Sequence, residues 1–385
     1  MRKGTCLLFV LALSFSLAQA QPKYTVQDLG TLGGTYAGCG HGLNIKTQIA
    51  GGSSLPGDQV DHIFLWQKGS MADLGTLGMT TFCVGTIGIN FNTEIVGAYY
   101  RDDWSSGAYL WRKGSLIDLG SLGGPSAFAE AIDDFTLIVG GSLLADNTTW
   151  NAFLWWNGTM FNLPVNFGGL NSVAHGINDF GQIVGESETA EMTSRGFNKF
   201  KAYLWWNGTP RPFSTLGGEL TAAFAMNQLG HAVGLSETNV LEPNTGWPLS
   251  HAYLWRNGVM RDLGTLPGDD ASHANQVNNK DQVVGSSGNG INMTGETGFV
   301  LSSLLGFSPD CSAFQFQNGS CFDWANAHGF LWQQGKMYNL DDLVPANSGW
   351  HFFAGDAIND LGEIVAEGIK DGDPAWRACL LRPKK

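Results

Sequence analysis

Two short landmarks recur seven times along this chain of 385 residues, and the spacing inside each does not change. The first reads "IN..GQIVG". It runs from Asn44 to Gly51, Asn90 to Gly97, Asp133 to Gly140, Asn178 to Gly185, Asn227 to Gly234, Asn278 to Gly285 and Asn359 to Ala366, seven positions every time. The second reads "FLW..G...DLG". Trp66, Trp111, Trp155, Trp205, Trp255 and Trp332 each stand eight positions before Leu74, Leu119, Leu163, Phe213, Leu263 and Leu340, and a seventh copy, "RACLLRP" from Arg377, stops at the chain end. Apolar residues alternate around turn residues such as Asn-Gly in both, so each landmark predicts a β-hairpin. A period of about 45 residues holding four short strands constrains the fold more than any other feature.

The connections that vary are equally informative. From "IVG" to "FLW" the gaps are 13, 12, 13, 18, 19, 45 and 13 residues, whereas both hairpin turns are fixed. We letter the strands A ("AIN"), B ("QIVGES"), C ("AFLW") and D ("MRDLG"). An up-and-down sheet then puts every fixed A–B and C–D turn at one end and every variable B–C and D–A connection at the other. Four-stranded units arranged radially make a β-propeller, and seven repeats predict seven blades in an all-β fold. The chain ends agree. "YTVQDLG", from Tyr24 to Gly30, is a lone D strand and "ACLLRP" is a lone C strand, so pairing them completes the seventh blade and closes the ring.

Abundant glycine (53 residues) and scarce charge support a turn-rich β protein. The first twenty residues carry Arg2 and Lys3, an apolar run and Ala18-Gln19-Ala20, the pattern of a signal peptide. That run is short for a bilayer and no other stretch is longer, so the expectation is a soluble secreted or periplasmic monomer spanning 21–385, with an inserted loop at about 286–327 in blade six. Removing Arg2 and Lys3 takes the formal charge from −13 to −15, which argues against a nucleic-acid partner. Export permits disulfides: Cys311 with Cys321 across a short loop, and Cys39 with Cys83 from neighbouring repeats. Cys379 takes an aromatic's place in its repeat and reads as a buried free thiol. The six repeated Trp read as a packing ladder between blades, and the small residues Gly42, Gly88, Ala131, Gly176, Ala225 and Ala357 sit where blades crowd the axis.

The "HAYLW" at His251 followed by Asn-Gly and "DLGTL", with "GINDFGQIVG" from Gly176 to Gly185, resembles the exported bacterial proteins named for their HAF repeats. The resemblance covers essentially the whole mature chain and is loosest in the last copy and at Phe213. It implies an extracellular repeat protein of propeller type, and it implies no reaction and no catalytic residues.

Function must therefore be argued from the loops and the axis. Three positions before each "IN" residue stand His41, Ile87, Glu130, His175, Phe224, Asn275 and Asp356. If strand A lines the axis, the polar members form a ring at the channel mouth. They could line a water-filled channel, bind a ligand or a divalent metal, or supply an acid and a base for glycan cleavage. The B–C loops carry Tyr99, Tyr100, Trp104, Trp150, Trp247 and Trp376 beside Asp and Asn, the composition that grips sugars by ring stacking and hydroxyl hydrogen bonding. Each Trp could instead pack on its own blade edge. No cofactor is called for, beyond loose Ca²⁺ binding by Asp102, Asp103, Asp371 and Asp373. His62, His251 and His328, before strand C, are expected to bond backbone at a strand start. Two functions compete: a binding or scaffold module recognising carbohydrate or protein through the variable loops, and a polysaccharide lyase or glycoside hydrolase at the channel mouth.

Overall fold

A computed structural model describes residues 21, 23–38, 42–77, 85–243, 246–290 and 326–384. Residues 1–20, read above as a signal peptide, Cys39, His41, Cys83, Cys311, Cys321 and most of the insertion expected in blade six lie outside the described residues. The architecture is seven four-stranded antiparallel sheets, each in the order A-B-C-D. The inner strands are Gly42–Leu43, Gly85–Ile89, Gly123–Ile132, Gly168–Ile177, Gly217–Met226, Ala271–Val277 and Trp350–Ile358, and they touch one another around the axis. No helix among the described residues is long and apolar enough to cross a membrane.

Closure follows the pairing read from the two chain ends. Tyr24–Asp28 runs antiparallel to the last strand, with Tyr24 opposite Pro383 and Asp28 opposite Cys379. Tyr24 and Cys379 are both buried in the same apolar cluster, so the seam is packed like any other blade. Cys379 is a free, buried thiol, held well above its ordinary value by burial.

Two devices fasten the blades. Between them, the six repeated Trp join the apolar clusters together with Phe64, Tyr109, Phe153, Tyr203, Tyr253 and Phe330, which are fully buried. Close approach near the axis demands small residues: a Cβ on Gly176 would sit 3.2 Å from the Cα of Ala225 in the next blade. The second device is a belt around the axis. The Asn of each A–B turn accepts its own turn's backbone N–H groups through Oδ1, as Asn178 does from Phe180 and Gln182, while its Nδ2 donates to the backbone carbonyl of the next blade's turn. The links run Asn44 to Asn90 (3.0 Å), Asn90 to Asp133 (2.9 Å), Asn178 to Asn227 (3.2 Å), Asn227 to Asn278 (2.9 Å), Asn278 to Asn359 (2.9 Å) and Asn359 back to Asn44 (3.2 Å). One link is missing. Asp133 has no N–H to offer Asn178, and its Oδ2 is buried without a hydrogen-bond partner.

The histidines before strand C correct one expectation. His62 and His251 bond the carboxylate of the "DLG" aspartate on strand D (Nδ1 to Asp73, 2.8 Å; to Asp262, 3.0 Å), and His328 faces Asp269 at 3.3 Å. Strands C and D are neighbours, so the imidazole reaches across the pair and not along its own backbone.

Candidate functional site

Four of the five polar residues expected to ring the axis, Glu130, His175, Asn275 and Asp356, do line it, for a reason that periodicity does not contain; the fifth, His41, lies outside the described residues. Six of the seven inner strands slip by one residue against strand B, and the slipped residue is the one at the ring position: Ile87, Glu130, His175, Phe224, Asn275 and Asp356 each fall in a register shift, while the two described residues Gly42–Leu43 pair without one. A β-bulge re-aims the side chain it carries. Here Glu130, His175, Phe224, Asn275 and Asp356 line an axial cavity of about 150 Å³. That volume holds on the order of ten waters.

Glu130 and His175 are brought together, their nearest atoms 3.9 Å apart, and His175 Nε2 lies 3.5 Å from Glu186 on strand B. All three are almost completely buried. Burial alone would lower the imidazole, but the flanking carboxylates prevail and hold it up at about 9. Burial pushes Glu130 above the usual carboxylate range, with His175 pulling it back only in part. His175 thus stands between two acidic side chains, with Phe224 edge-on to its ring at 5.7 Å. Glu186 escaped the sequence reading, although a glutamate one residue after Gly185, matched only by Glu367 in blade seven while the other five blades carry Gly, Ala, Leu or Ser, was a visible signal. Asn275 donates to the Gly355 carbonyl at 3.2 Å, tying blades six and seven, and Asp356 lines the same cavity. A further buried imidazole, His273, is pushed down to about 3 by burial and is neutral.

On the loop face the six aromatic candidates separate. Tyr99 is a correction: it is buried, and its hydroxyl donates to Asp118 at 2.7 Å. It fills the slot that His62 and His251 occupy in their blades, and it can do so because residue 107 there is glycine; a Cβ on Gly107 would lie 2.2 Å from the Tyr99 ring. Tyr100 is half-buried, and desolvation with the nearby Glu130 raises its phenol. Trp150 tilts against Phe128 at 5.3 Å, and Trp247 stacks on Phe197 at 6.0 Å, so both pack down on blade edges. Trp104 and Trp376 remain exposed, at 68 % and 53 %. Among the Ca²⁺ candidates, Asp103 caps its own loop by accepting from Ser105 and Asp373 pairs with Arg377.

The loop face also holds a feature that the spacing only hinted at. In blades four and five, strands B and C run for ten and nine residues, against six and seven in blades one and two. The resulting hairpins stand beyond the blades and are braced to each other. The Arg195 guanidinium makes a bidentate pair with Glu237 (2.6 and 3.1 Å) and lies over the Trp247 ring at 4.5 Å. Around this brace Leu170, Met192, Val240 and Leu241 are exposed.

The chain matches no protein-family model and no curated protein. Among solved structures it is similar to the β-propeller domain of the trilobed protease from Pyrococcus furiosus, at 10% identity and a TM-score of 0.54 over 90% of this chain and 97% of that one. It is also similar to the acylaminoacyl peptidase of Pyrococcus horikoshii, at 11% identity and a TM-score of 0.50, over 91% of this chain and 52% of the peptidase. A third similarity is to TolB from Acinetobacter baumannii, at 9% identity and a TM-score of 0.43, over 88% of this chain and 64% of that one. The first two likenesses agree with the β-propeller fold described above. The archaeal protease domain is described as having an open velcro topology; here the first described strand closes the last blade.

Proposed function

We propose that this chain is an exported binding module of the HAF-repeat type, secreted or periplasmic, that recognises its partner through the variable-loop face. The observation that carries the reading is the braced pair of hairpins in blades four and five. Leu170 is 75 % exposed, and its backbone N–H is held by the Glu188 carboxylate, so an apolar tip is presented on a fixed support. Exposed aliphatic side chains on a rigid, polar-rimmed platform match a protein surface. Carbohydrate binding is the second reading, favoured by Trp104 and Trp376 beside exposed aspartates. The lyase or hydrolase alternative is less well supported. Glu130 and His175 are at most 3 % exposed, which leaves a polymeric substrate no approach to them.

The test pairs binding assays, against a glycan array and against purified exported proteins, with two variants. Met192→Asp with Leu241→Asp should abolish protein binding, and Trp104→Ala with Trp376→Ala should leave it unaffected. The reverse pattern would favour carbohydrate. Turnover of a polysaccharide that is lost in Glu130→Gln would overturn both binding readings.

A further inference from the structure

The fixed-turn face, opposite the loops, carries a pattern that folding does not require. The A–B turns are held by their Asn caps, so the one or two residues after each cap are free to be polar. Instead Ile45, Phe91, Phe135, Phe180, Leu229 and Leu361 stand there, between 40 % and 69 % exposed. Only blade six departs, with Lys280. Strand A is innermost, so these six tips encircle the lower mouth of the channel. The turns share one length and all but one neighbouring pair are linked through their caps, so the tips project from the same end of the ring.

Around this apolar centre the outer C–D turns form a rim. It holds exposed Trp156 and Trp206 together with exposed Lys68, Lys113 and Lys336. The acids at this end are engaged. Glu94, Asp281 and Glu363 face Arg112, Arg256 and Arg382 at 2.7, 3.1 and 3.3 Å. Asp134, Asp179 and Asp360 accept the backbone N–H of the preceding blade's turn. Those three aspartates keep their charge, and the turns set five exposed lysines against them, Lys46, Lys68, Lys113, Lys280 and Lys336, in a chain with a formal charge of −13.

We propose that the turn face docks on a bilayer containing anionic phospholipid. A ring of short apolar tips spread around one end of the molecule suits a broad target better than a protein cleft. Trp prefers the boundary between headgroups and acyl chains, and lysines at the rim would meet the negative surface. The loop face would then point away from the membrane. The inference stands independently of what the loop face binds.

The experiment is flotation of the full chain with vesicles of phosphatidylcholine alone and of phosphatidylcholine with phosphatidylglycerol. Binding is expected to the anionic vesicles only, and to weaken as salt screens the lysines. Phe135→Ser with Phe180→Ser, and separately Lys68→Glu with Lys113→Glu, should each reduce it about tenfold or more with unchanged melting curves. Trp104→Ala, on the opposite face, should leave it unchanged. No binding to anionic vesicles, equal binding to neutral ones, or binding that survives both double variants would overturn the proposal. So would self-association of the wild type that Phe135→Ser with Phe180→Ser abolishes without any vesicle binding, which would assign the face to a second copy of the chain.

Discussion

Replacing Asp133 by Asn should make the protein more stable at neutral pH, an unusual direction for a substitution at a buried position. Asp133 holds its turn by accepting from Phe135 (2.9 Å) and Leu137 (2.8 Å) through Oδ1, and an Asn keeps both bonds. What the aspartate lacks is the N–H that six other blades use to reach the next turn. Burial, with Asp179 and Asp134 nearby, raises its carboxyl from 3.8 to about 6. A folded value above the unfolded one means that the group favours the fold while protonated; its contribution is full below about pH 4 and is lost as the pH rises through about 6. Two pH units correspond to a ceiling of about 3 kcal/mol. Partial solvent access and relaxation reduce this to roughly 1–2 kcal/mol, and the new bond to the Asn178 carbonyl adds about 1 kcal/mol. Only one amide hydrogen gains a partner, because the position that supplies Gln or Glu in five other blades is Leu137 here. The expected gain is therefore roughly 2–3 kcal/mol near neutral pH. Near pH 4 it should fall towards zero, where a protonated Asp133 can itself donate. Urea denaturation followed by tryptophan fluorescence at both pH values measures it. A variant that is neutral or less stable near neutral pH, or equally stabilised at both, would refute the belt as a source of stability.

Further outcomes follow from the same geometry. Glu237→Gln should leave the half-buried Arg195 guanidinium with only its longer pair to Glu219 at 3.7 Å and cost about 1–3 kcal/mol, or loosen the two long hairpins locally, read by hydrogen exchange at residues 190–200 and 236–248. Gly107→His should evict Tyr99 from its slot and lower the melting temperature, and the double change Tyr99→Ala with Gly107→His should recover part of the loss by restoring a His–Asp contact to Asp118. His175→Gln should remove a pH dependence. The imidazole is raised to about 9, so its contribution is full below its unfolded value near 6.5 and is lost as the pH climbs through about 9. Unfolding free energies that decline equally in wild type and variant over that range would exclude the charged triad.

Blade number, strand order and the seam between Tyr24–Asp28 and the final strand were legible because hairpin spacing and alternation are local properties repeated seven times. The axial position of Glu130, His175, Asn275 and Asp356 was also legible, since every residue at one repeat position must share one radius. The chemistry at that position was not. A one-residue bulge against strand B turns those side chains inward, and Glu186 meets His175 only because strands 1–2 residues out of step are folded side by side. The loop aromatics divided in the same way. Trp150 and Trp247 are covered, and Trp104 and Trp376 are not, because cover depends on which residues of other strands arrive beside them. Sequence alone determined the ring, since a fixed turn repeated at a fixed period admits few closures. Only the tertiary structure decided which polar groups are paired and which apolar tips face water, because burial belongs to surfaces that distant segments make together.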